Sequence, residues 1–286
     1  MGVPFGLTNV NYDGLDLAAI DTVLGVAFGV TTLDGWEGAP KASLEVQARV
    51  RSQGGVGGDS FSGARHVTVG GWIQSPDASR ILPAKDELLS RFALDERIMT
   101  VTEVGESRWI SARREDEPII KRTSLVYATF SMQVVSEDSR KFGTELTDST
   151  ALPMTSGGFT YPHVYPYSIP ATTVTGLVSL NNRGNATGPV RLRIDGPVKG
   201  PVVTHRGGGM QRELTFASSL ELGTGEWIEV VMEDHDVLAN GQVSRQGWVT
   251  SRQWSGFEPG ANTWAFTAAS YNAGARMRVF ATEAWE

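Results

Sequence analysis

The first residues with catalytic potential are Gly58-Asp59-Ser60-Phe61, in the segment GGDSFSG. This block imitates the nucleophile segment of some lipolytic serine hydrolases, which take their base from a histidine late in the chain. Here no histidine follows His235, and the surrounding sequence predicts strands rather than alternating strands and helices. We therefore interpret the segment as a glycine-rich loop and expect no enzymatic activity and no catalytic residue.

The densest group of potential metal ligands is Glu233-Asp234-His235-Asp236. Carboxylates and imidazoles bind hard or borderline cations. Consecutive residues of a strand point to opposite faces, so these four side chains cannot all converge on one ion if the segment is extended. The pattern favours the solvated end of a strand, while a calcium site that combines Glu233 or Asp234 with loop partners stays open.

The remaining polar motifs point to turns rather than to cofactor sites. His66, His163 and His205 have no spacing typical of a metal site, and the run 207–209 of three glycines precedes a predicted strand rather than the helix that a phosphate loop requires. We expect no metal and no cofactor.

Tryptophans crowd the second half of the chain, and exposed tryptophans can stack on sugars. The alternative function is therefore a carbohydrate-binding β-sandwich protein that recognises cell-wall sugars. Such residues are more often core or interface anchors, and the candidates for an exposed platform are Trp248 and Trp254.

Composition excludes several classes of protein. The 286 residues carry a net charge of −7, which disfavours a large basic surface for nucleic acid. The absence of cysteine excludes disulfides and thiolate chemistry. No signal peptide or long apolar run is present, so we expect the chain to be made and kept in a cytoplasm, or to leave it by lysis. The 33 glycines and 13 prolines are scattered, as the many tight turns of an all-β protein require.

Alternating apolar residues in the first half predict strands at 22–32, 44–50, 66–73, 98–104, 109–113 and 124–135. One helix is predicted after residue 80, with Pro83 in its first turn and one apolar face formed by Leu82, Leu88, Leu89 and Phe92. The first half is therefore a β domain with a single helix.

A polar stretch from residue 137 and the phrase YPHVYPYSIP predict an extended connector, with a domain boundary between residues 143 and 152. Short alternating strands follow at 173–180, 190–194, 202–205, 211–216, 226–232, 237–239, 263–267 and 276–282. Asn240-Gly241 predicts a type I′ hairpin turn. We expect two domains, 1–145 and 146–286, the second a β-sandwich of jelly-roll or galectin type.

The order of several phrases resembles one protein family. In the second half these are NNRGNATGPVRLRIDGPVKGPVV, ELTFASSLELGTGEWIEVVMEDHDVLANGQ, WSGFEPGANTWAF and ARMRVFATEAW, and in the first half GARHVTVGGWIQSPDASRILPAKDELLSRF. Together they resemble the distal tail proteins of long-tailed, non-contractile bacteriophages. Each phrase is architectural, since its glycines, prolines and asparagines serve turns.

The resemblance implies a structural virion protein at the phage tail tip, assembled in the host cytoplasm. It implies a homo-hexameric ring made by a tail-tube-like N-terminal domain, and a galectin-like C-terminal platform. Implied partners are the major tail tube protein, a tail-associated hub protein, the tape-measure protein and receptor-binding proteins, with no membrane insertion and no nucleic-acid binding, although the ring surrounds a DNA channel. Ring contacts are expected from the loop residues Ser52, Gly54, Gly55, Gly57, Gly58 and Phe61 and from the strand residues His66, Val67 and Val69.

Overall fold

The structure is a computed structural model that describes residues 8–43, 46–49, 51–53, 55–156 and 172–286. The predicted class is confirmed: the described chain is built from antiparallel strands with one α-helix. The chain divides into two compact units, Met1–Gly143 with Glu286 and Thr144–Trp285.

The elements of the first unit follow one another as β1 (Thr8–Tyr12), β2 (Leu15–Asp16), β3 (Ile20–Asp21), β4 (Val26–Asp34), β5 (Ala42–Ser43), β6 (Val46–Ala48), β7 (Gly55–Gly57), β8 (Phe61–Ser62), β9 (Arg65–Gln74), α1 (Ile81–Arg91), β10 (Arg97–Glu103), β11 (Glu106–Arg114), β12 (Ile119–Arg122), β13 (Tyr127–Ser136) and β14 (Lys141–Ala151). A short 3₁₀ helix, Ala78–Arg80, leads into α1.

The strands of this unit pair in the order β3-β4-β9-β13-β11, and β11 continues to β10, β1 and β2. Alternation explains the core: Val26 and Phe28 on β4 and Val67 and Val69 on β9 are buried, and the residues between them are more exposed. Gly29 lies opposite Trp72, where a β-carbon would come within 2.2 Å of the indole ring. The glycine therefore gives the ring its place on the sheet.

Helix α1 covers this core with a different face from the predicted one. Ile81, Ala84, Leu88 and the following Phe92 are fully buried, whereas Leu82 and Leu89 are 54% and 38% exposed. Pro83 lies in the first turn as predicted. The helical period explains which residues are buried, because residues 81, 84, 88 and 92 lie on one side of the helix. The Phe92 ring stacks on Tyr12 at 4.1 Å between ring centroids.

The boundary between the units falls inside β14, where the sequence predicted a polar connector. Residues 144–149 are mostly exposed Thr, Glu, Asp and Ser, so the strand lacks the apolar alternation that would have revealed it. The tyrosine and proline phrase, residues 161–170, lies outside the described residues.

The second unit continues with β15 (Met154–Ser156), β16 (Thr172–Val174), β17 (Leu177–Asn182), β18 (Val190–Asp195), β19 (Val198–Gly207), β20 (Met210–Phe216), β21 (Glu221–Leu222), β22 (Trp227–Val231), β23 (Asp236–Ala239), β24 (Val243–Ser244), β25 (Val249–Arg252), β26 (Gly260–Ser270) and β27 (Arg276–Trp285). A 3₁₀ turn, Gln246–Trp248, precedes β25.

These strands form two sheets around one core. One sheet runs β17-β26-β19-β20-β25, with β21 beside β19, and the other runs β24-β23-β22-β18-β27-β14. Val178, Val203 and Phe266 of the first sheet belong to the same buried cluster as Leu192 and Val279 of the second. The second unit is therefore a β-sandwich.

Two hairpins follow the predicted turn chemistry. Asn240 and Gly241 have φ of 49° and 69°, the left-handed values that a type I′ turn requires. Gly208 and Gly209 have φ of 57° and 74° and join β19 to β20, with Gly207 opposite Met210. The three glycines therefore make a hairpin, as predicted, and not a phosphate loop.

Candidate functional site

Ser60 lies between β7 and β8 with its side chain exposed. The three described histidines each have another neighbour: His66 binds Glu115, His205 binds Asn262, and His235 stacks on Trp254. Because a serine nucleophile needs a hydrogen-bonded base, nothing in the described geometry activates Ser60. His163 lies outside the described residues.

The segment 233–236 lies mostly in a turn rather than in a strand, and only Asp236 belongs to strand β23. Residues 232–235 form the turn between β22 and β23, with Val231 opposite Asp236, and His235 takes a φ of 60°. Over the described parts of the chain, no three His, Cys, Asp or Glu side chains gather as metal ligands. The calcium alternative on Glu233 or Asp234 therefore gains no support.

We call residues 41–63 the arm, and its described residues form two pairs of short antiparallel strands. Strand β5 pairs with β8 at its base, β6 pairs with β7 further out, and Gly63 N–H donates to the Lys41 carbonyl at 2.9 Å. The glycine-rich segment thus contains two short strands where the sequence predicted a loop. Phe61 is 68% exposed, an unusual position for a large aromatic side chain.

Several predicted ring-contact residues lie on the arm. Ser52, Gly55, Gly57 and Gly58 are exposed there together with Phe61, while Gly54 lies outside the described residues. Of the predicted strand 44–50, residues 46–48 form β6 and Arg49 lies beyond its end, while residues 44, 45 and 50 lie outside the described residues. A two-stranded ribbon buries little apolar surface and is at best marginally stable in water by itself. The arm therefore has the features of a segment that another surface covers.

Two buried cations hold the root of the arm. The Arg65 side chain is 1% exposed, and its Nη1 donates to the carbonyls of Gly35, Trp36 and Gly38 at 3.1, 3.3 and 2.7 Å. Its Nε donates to the Ser139 carbonyl at 3.0 Å. Since residues 35–38 precede the arm and Arg65 follows it, one guanidinium fixes both ends.

Lys141 adds a second donor to the same turn. Its Nζ donates to the Trp36 carbonyl at 3.0 Å and lies 5.6 Å from the centroid of the Trp36 ring. Burial lowers the pKa of Lys141, and the positive charges of Arg65 and Arg108 lower it further. The sequence did not reveal this arrangement, because the acceptors are backbone carbonyls brought near by the fold.

The predicted contact strand, now part of β9, contributes less than expected. Val67 and Val69 are 1% and 0% exposed and face the core of their own unit, and β9 has β4 on one side and β13 on the other. Their side chains are therefore not available to another subunit. His66 points outward, with its Nδ1 2.7 Å from Oε2 of Glu115, and is the one of the three that remains accessible.

The predicted platform tryptophans are half-buried. Trp248 and Trp254 both pack against the core of the second unit, and the Trp254 ring stacks on His235 with centroids 4.7 Å apart. Trp264 is fully buried against His205. Because a sugar needs a free ring face, the described geometry offers no support for stacking on these residues.

A network of buried polar side chains joins the loops of the sandwich. Asn262 donates through Nδ2 to the carbonyls of Glu258 and Gly260 at 2.7 and 2.8 Å, and its Oδ1 lies 2.9 Å from Nε2 of His205. The sequence analysis assigned the asparagines of these phrases to turns, but Asn262 lies in β26 and acts through its side chain. The left-handed residue is Gly260, with φ of 88°.

Two carboxylates belong to the same network. Burial raises the pKa of Glu258, but hydrogen bonds from Arg212 at 2.7 Å and from Thr187 at 2.9 Å lower it overall. The buried Glu283 accepts three hydrogen bonds from Arg183, two from the guanidinium and one from the backbone N–H, and these lower its pKa. These contacts fix the loop after β17 against β27, so the network is structural.

Comparisons with known proteins bear on the fold. No protein-family model and no curated protein matches the sequence. The structure is similar to the crystal structure of the Dit protein of phage SPP1, at a TM-score of 0.67 and 14% identity over 98% of this chain and 100% of that one. That structure is described as a paradigm of the hub adsorption apparatus in phages that infect Gram-positive bacteria. The predicted resemblance is thus confirmed for the fold.

Two structures of the phage P2 baseplate in its activated conformation, one with Ca and one with Sr, also align. Each has 9% identity and a TM-score of 0.47, and the alignment covers 96% of this chain and 97% of the other.

Among the described residues, no helix is long and apolar enough to cross a membrane.

Proposed function

We propose that this chain is a structural protein of a bacteriophage tail, a hub that joins the tail tube to the tail tip. The observation that supports the proposal most strongly is the shared fold with the SPP1 Dit protein across both units, with a TM-score of 0.67. The order of the phrases in the sequence leads independently to the same family. A structural role also agrees with a chain whose polar clusters fix loops.

The first unit forms a homo-hexameric ring in this proposal, and the arm makes the contact between neighbouring subunits. The exposure of Phe61 and the fixed root of the arm support this role. His66 contributes from the outer face of β9. A closed ring suits a cysteine-free chain, because the subunit interfaces supply the burial that no disulfide replaces.

The second unit, galectin-like in this proposal, serves as the platform for peripheral proteins such as receptor-binding proteins. The tail tube, the tape-measure protein and a tail-associated hub protein are the axial partners, and the assembled protein resides in the virion. No catalytic step, metal or cofactor is required. The carbohydrate alternative is not favoured, since Trp248 and Trp254 pack against the core.

The experiment is to shorten the arm and measure the assembly state of the full chain. In the test variant an Asn-Gly turn replaces residues 44–60, which leaves the pairing of β5 with β8. We expect size-exclusion chromatography with light scattering to show a wild-type species near six subunits and a folded but smaller species for the variant. The control replaces Gly208-Gly209 with Asn-Gly in another exposed hairpin and retains the assembly.

A wild-type assembly unaffected by the shortened arm would contradict the role of the arm. A protein that neither assembles nor restores tails to a phage lacking its own hub protein would contradict the function itself.

A further inference from the structure

The arm ends in two cations that have no counter-charge. Arg49 and Arg51 are exposed, and neither makes a hydrogen bond or an ion pair with any described residue. Other arginines of the unit do have carboxylate partners, such as Arg91 with Glu87 and Arg140 with Asp138. The positive charges at the outer end of the arm therefore have no partner among the described residues.

The same unit carries a complementary group of carboxylates, which we call the acidic ridge: Asp95, Glu96, Asp116 and Glu117. Asp95 and Glu96 precede β10, and the other two follow β11. Because β10 and β11 are antiparallel with Arg97 opposite Ala112, these residues lie at one end of the sheet. All four side chains are exposed, and no described cation pairs with them.

Charge separates the arm from the rest of its unit. Residues 41–63 contain three Lys and Arg and two Asp and Glu, whereas residues 1–40 and 64–143 contain twelve Lys and Arg and seventeen Asp and Glu. The arm therefore carries +1 and the remainder −5. A basic outer end and an acidic body suit contact between copies.

We propose that Arg49 and Arg51 of one copy form ion pairs with the acidic ridge of the neighbouring copy. Within one chain no ion pair joins these two described groups, so the contact is made in trans. The exposed side chains of Leu94 and Ile119, 68% and 51% accessible, adjoin the ridge and supply apolar surface to the same interface. This inference rests on the proposed ring and names the side chains that determine its register.

Charge reversal tests the pairing in the full chain. We expect the double substitution Arg49→Glu, Arg51→Glu to weaken association by about tenfold or more, because each side then repels the other. Asp116→Arg, Glu117→Arg has the same effect, and the combination of all four restores association to within about threefold of wild type. Lys199→Glu, Arg206→Glu, in the second unit, makes the same change in net charge and leaves association unchanged.

Because the chain has no cysteine, disulfide trapping gives a second readout. Ser52→Cys with Glu117→Cys is expected to yield a ladder of disulfide-linked oligomers on oxidation, and neither single variant extends beyond a dimer. Wild-type rings that persist in both reversal variants, with no ladder, overturn this contact and leave the proposed ring intact. A wild-type chain that stays monomeric, together with no ladder from the double-cysteine variant, overturns both.

Discussion

His205 shows how one buried side chain makes stability depend on pH. Asn262 uses its Nδ2 as donor to two carbonyls, so its Oδ1 faces His205 and requires a proton on Nε2 of the imidazole. Nδ1 then carries the lone pair, and it is buried with no hydrogen-bond partner among the described residues. The folded protein therefore favours the neutral imidazole.

Acidification should destabilise the sandwich through this residue. Burial lowers the pKa of His205 from 6.5; the bond to Asn262 and the charge of Glu258 act in the opposite direction, and Arg212 adds to the lowering. The stabilising contribution is fully present above 6.5 and is lost as pH falls through the lower folded pKa. We expect the free energy of unfolding in urea to fall below pH 6.5, by up to about 1.4 kcal/mol per pH unit.

The variant His205→Phe is the comparison, since it retains a ring against Trp264 and cannot titrate. Its unfolding free energy should change less between pH 7 and pH 5 than that of the wild type. Equal slopes for the two proteins would contradict this role of His205.

At the scale of elements, close backbone approach makes the loop after β17 sensitive to substitution. Gly188 exchanges two backbone hydrogen bonds with Phe257, at 2.9 and 2.8 Å, and a β-carbon there would lie 1.9 Å from the Thr282 carbonyl oxygen. We expect Gly188→Ala to lower the free energy of unfolding by at least about 2 kcal/mol.

The matched control is Gly247→Ala, in the 3₁₀ turn of the same unit, where an added β-carbon has no atom within 4 Å. It should change stability by no more than about 0.5 kcal/mol. Equal effects of the two substitutions, measured by urea unfolding, would show that the loop yields to the added methyl group.

The elements that the sequence predicted correctly are those with a regular apolar pattern. Strands β9, β13 and β18 alternate between buried and exposed residues, and each was found within a few positions of its true bounds. Strand β14 was missed because seven of its residues are polar and five of these are exposed, so its pairing partners rather than its composition hold it. Strands β7 and β8 were missed because their segment is rich in glycine and serine, which are typical of loops.

The candidate site was predictable only in its position. Glycine content placed a special segment at residues 52–63, but Arg65 and Lys141 gave no signal. Their partners are backbone carbonyls of residues 35–38, which lie 27 and 105 residues away in the sequence. A backbone carbonyl is present at every residue, so the sequence does not show which ones will accept these hydrogen bonds. The same reason hid Asn262, whose role depends on the four groups that the fold places around its amide.

At the scale of the whole molecule, the two units have separate cores. One buried cluster contains residues between Val10 and Val134, and the other contains residues between Leu152 and Ala281. We therefore expect two calorimetric transitions. Gly188→Ala should lower one of them, by roughly 3 °C per kcal/mol, and Val69→Ala, which removes buried methyl groups from the first core, should lower the other.

A single transition that both variants displace equally would contradict the independence of the two cores. The measurement is made on the full chain, so no fragment has to fold alone.

The fixed root of the arm has a mechanical consequence. Arg65 and Lys141 connect the turn at residues 35–38 to β9 and β14, so a pull on the end of the arm is carried into paired strands rather than into a loose loop. The direction of the arm is therefore set at its base, by two side chains that are buried within their own unit. We expect a substitution at Arg65 to change the direction of the arm while every residue at its outer end stays the same.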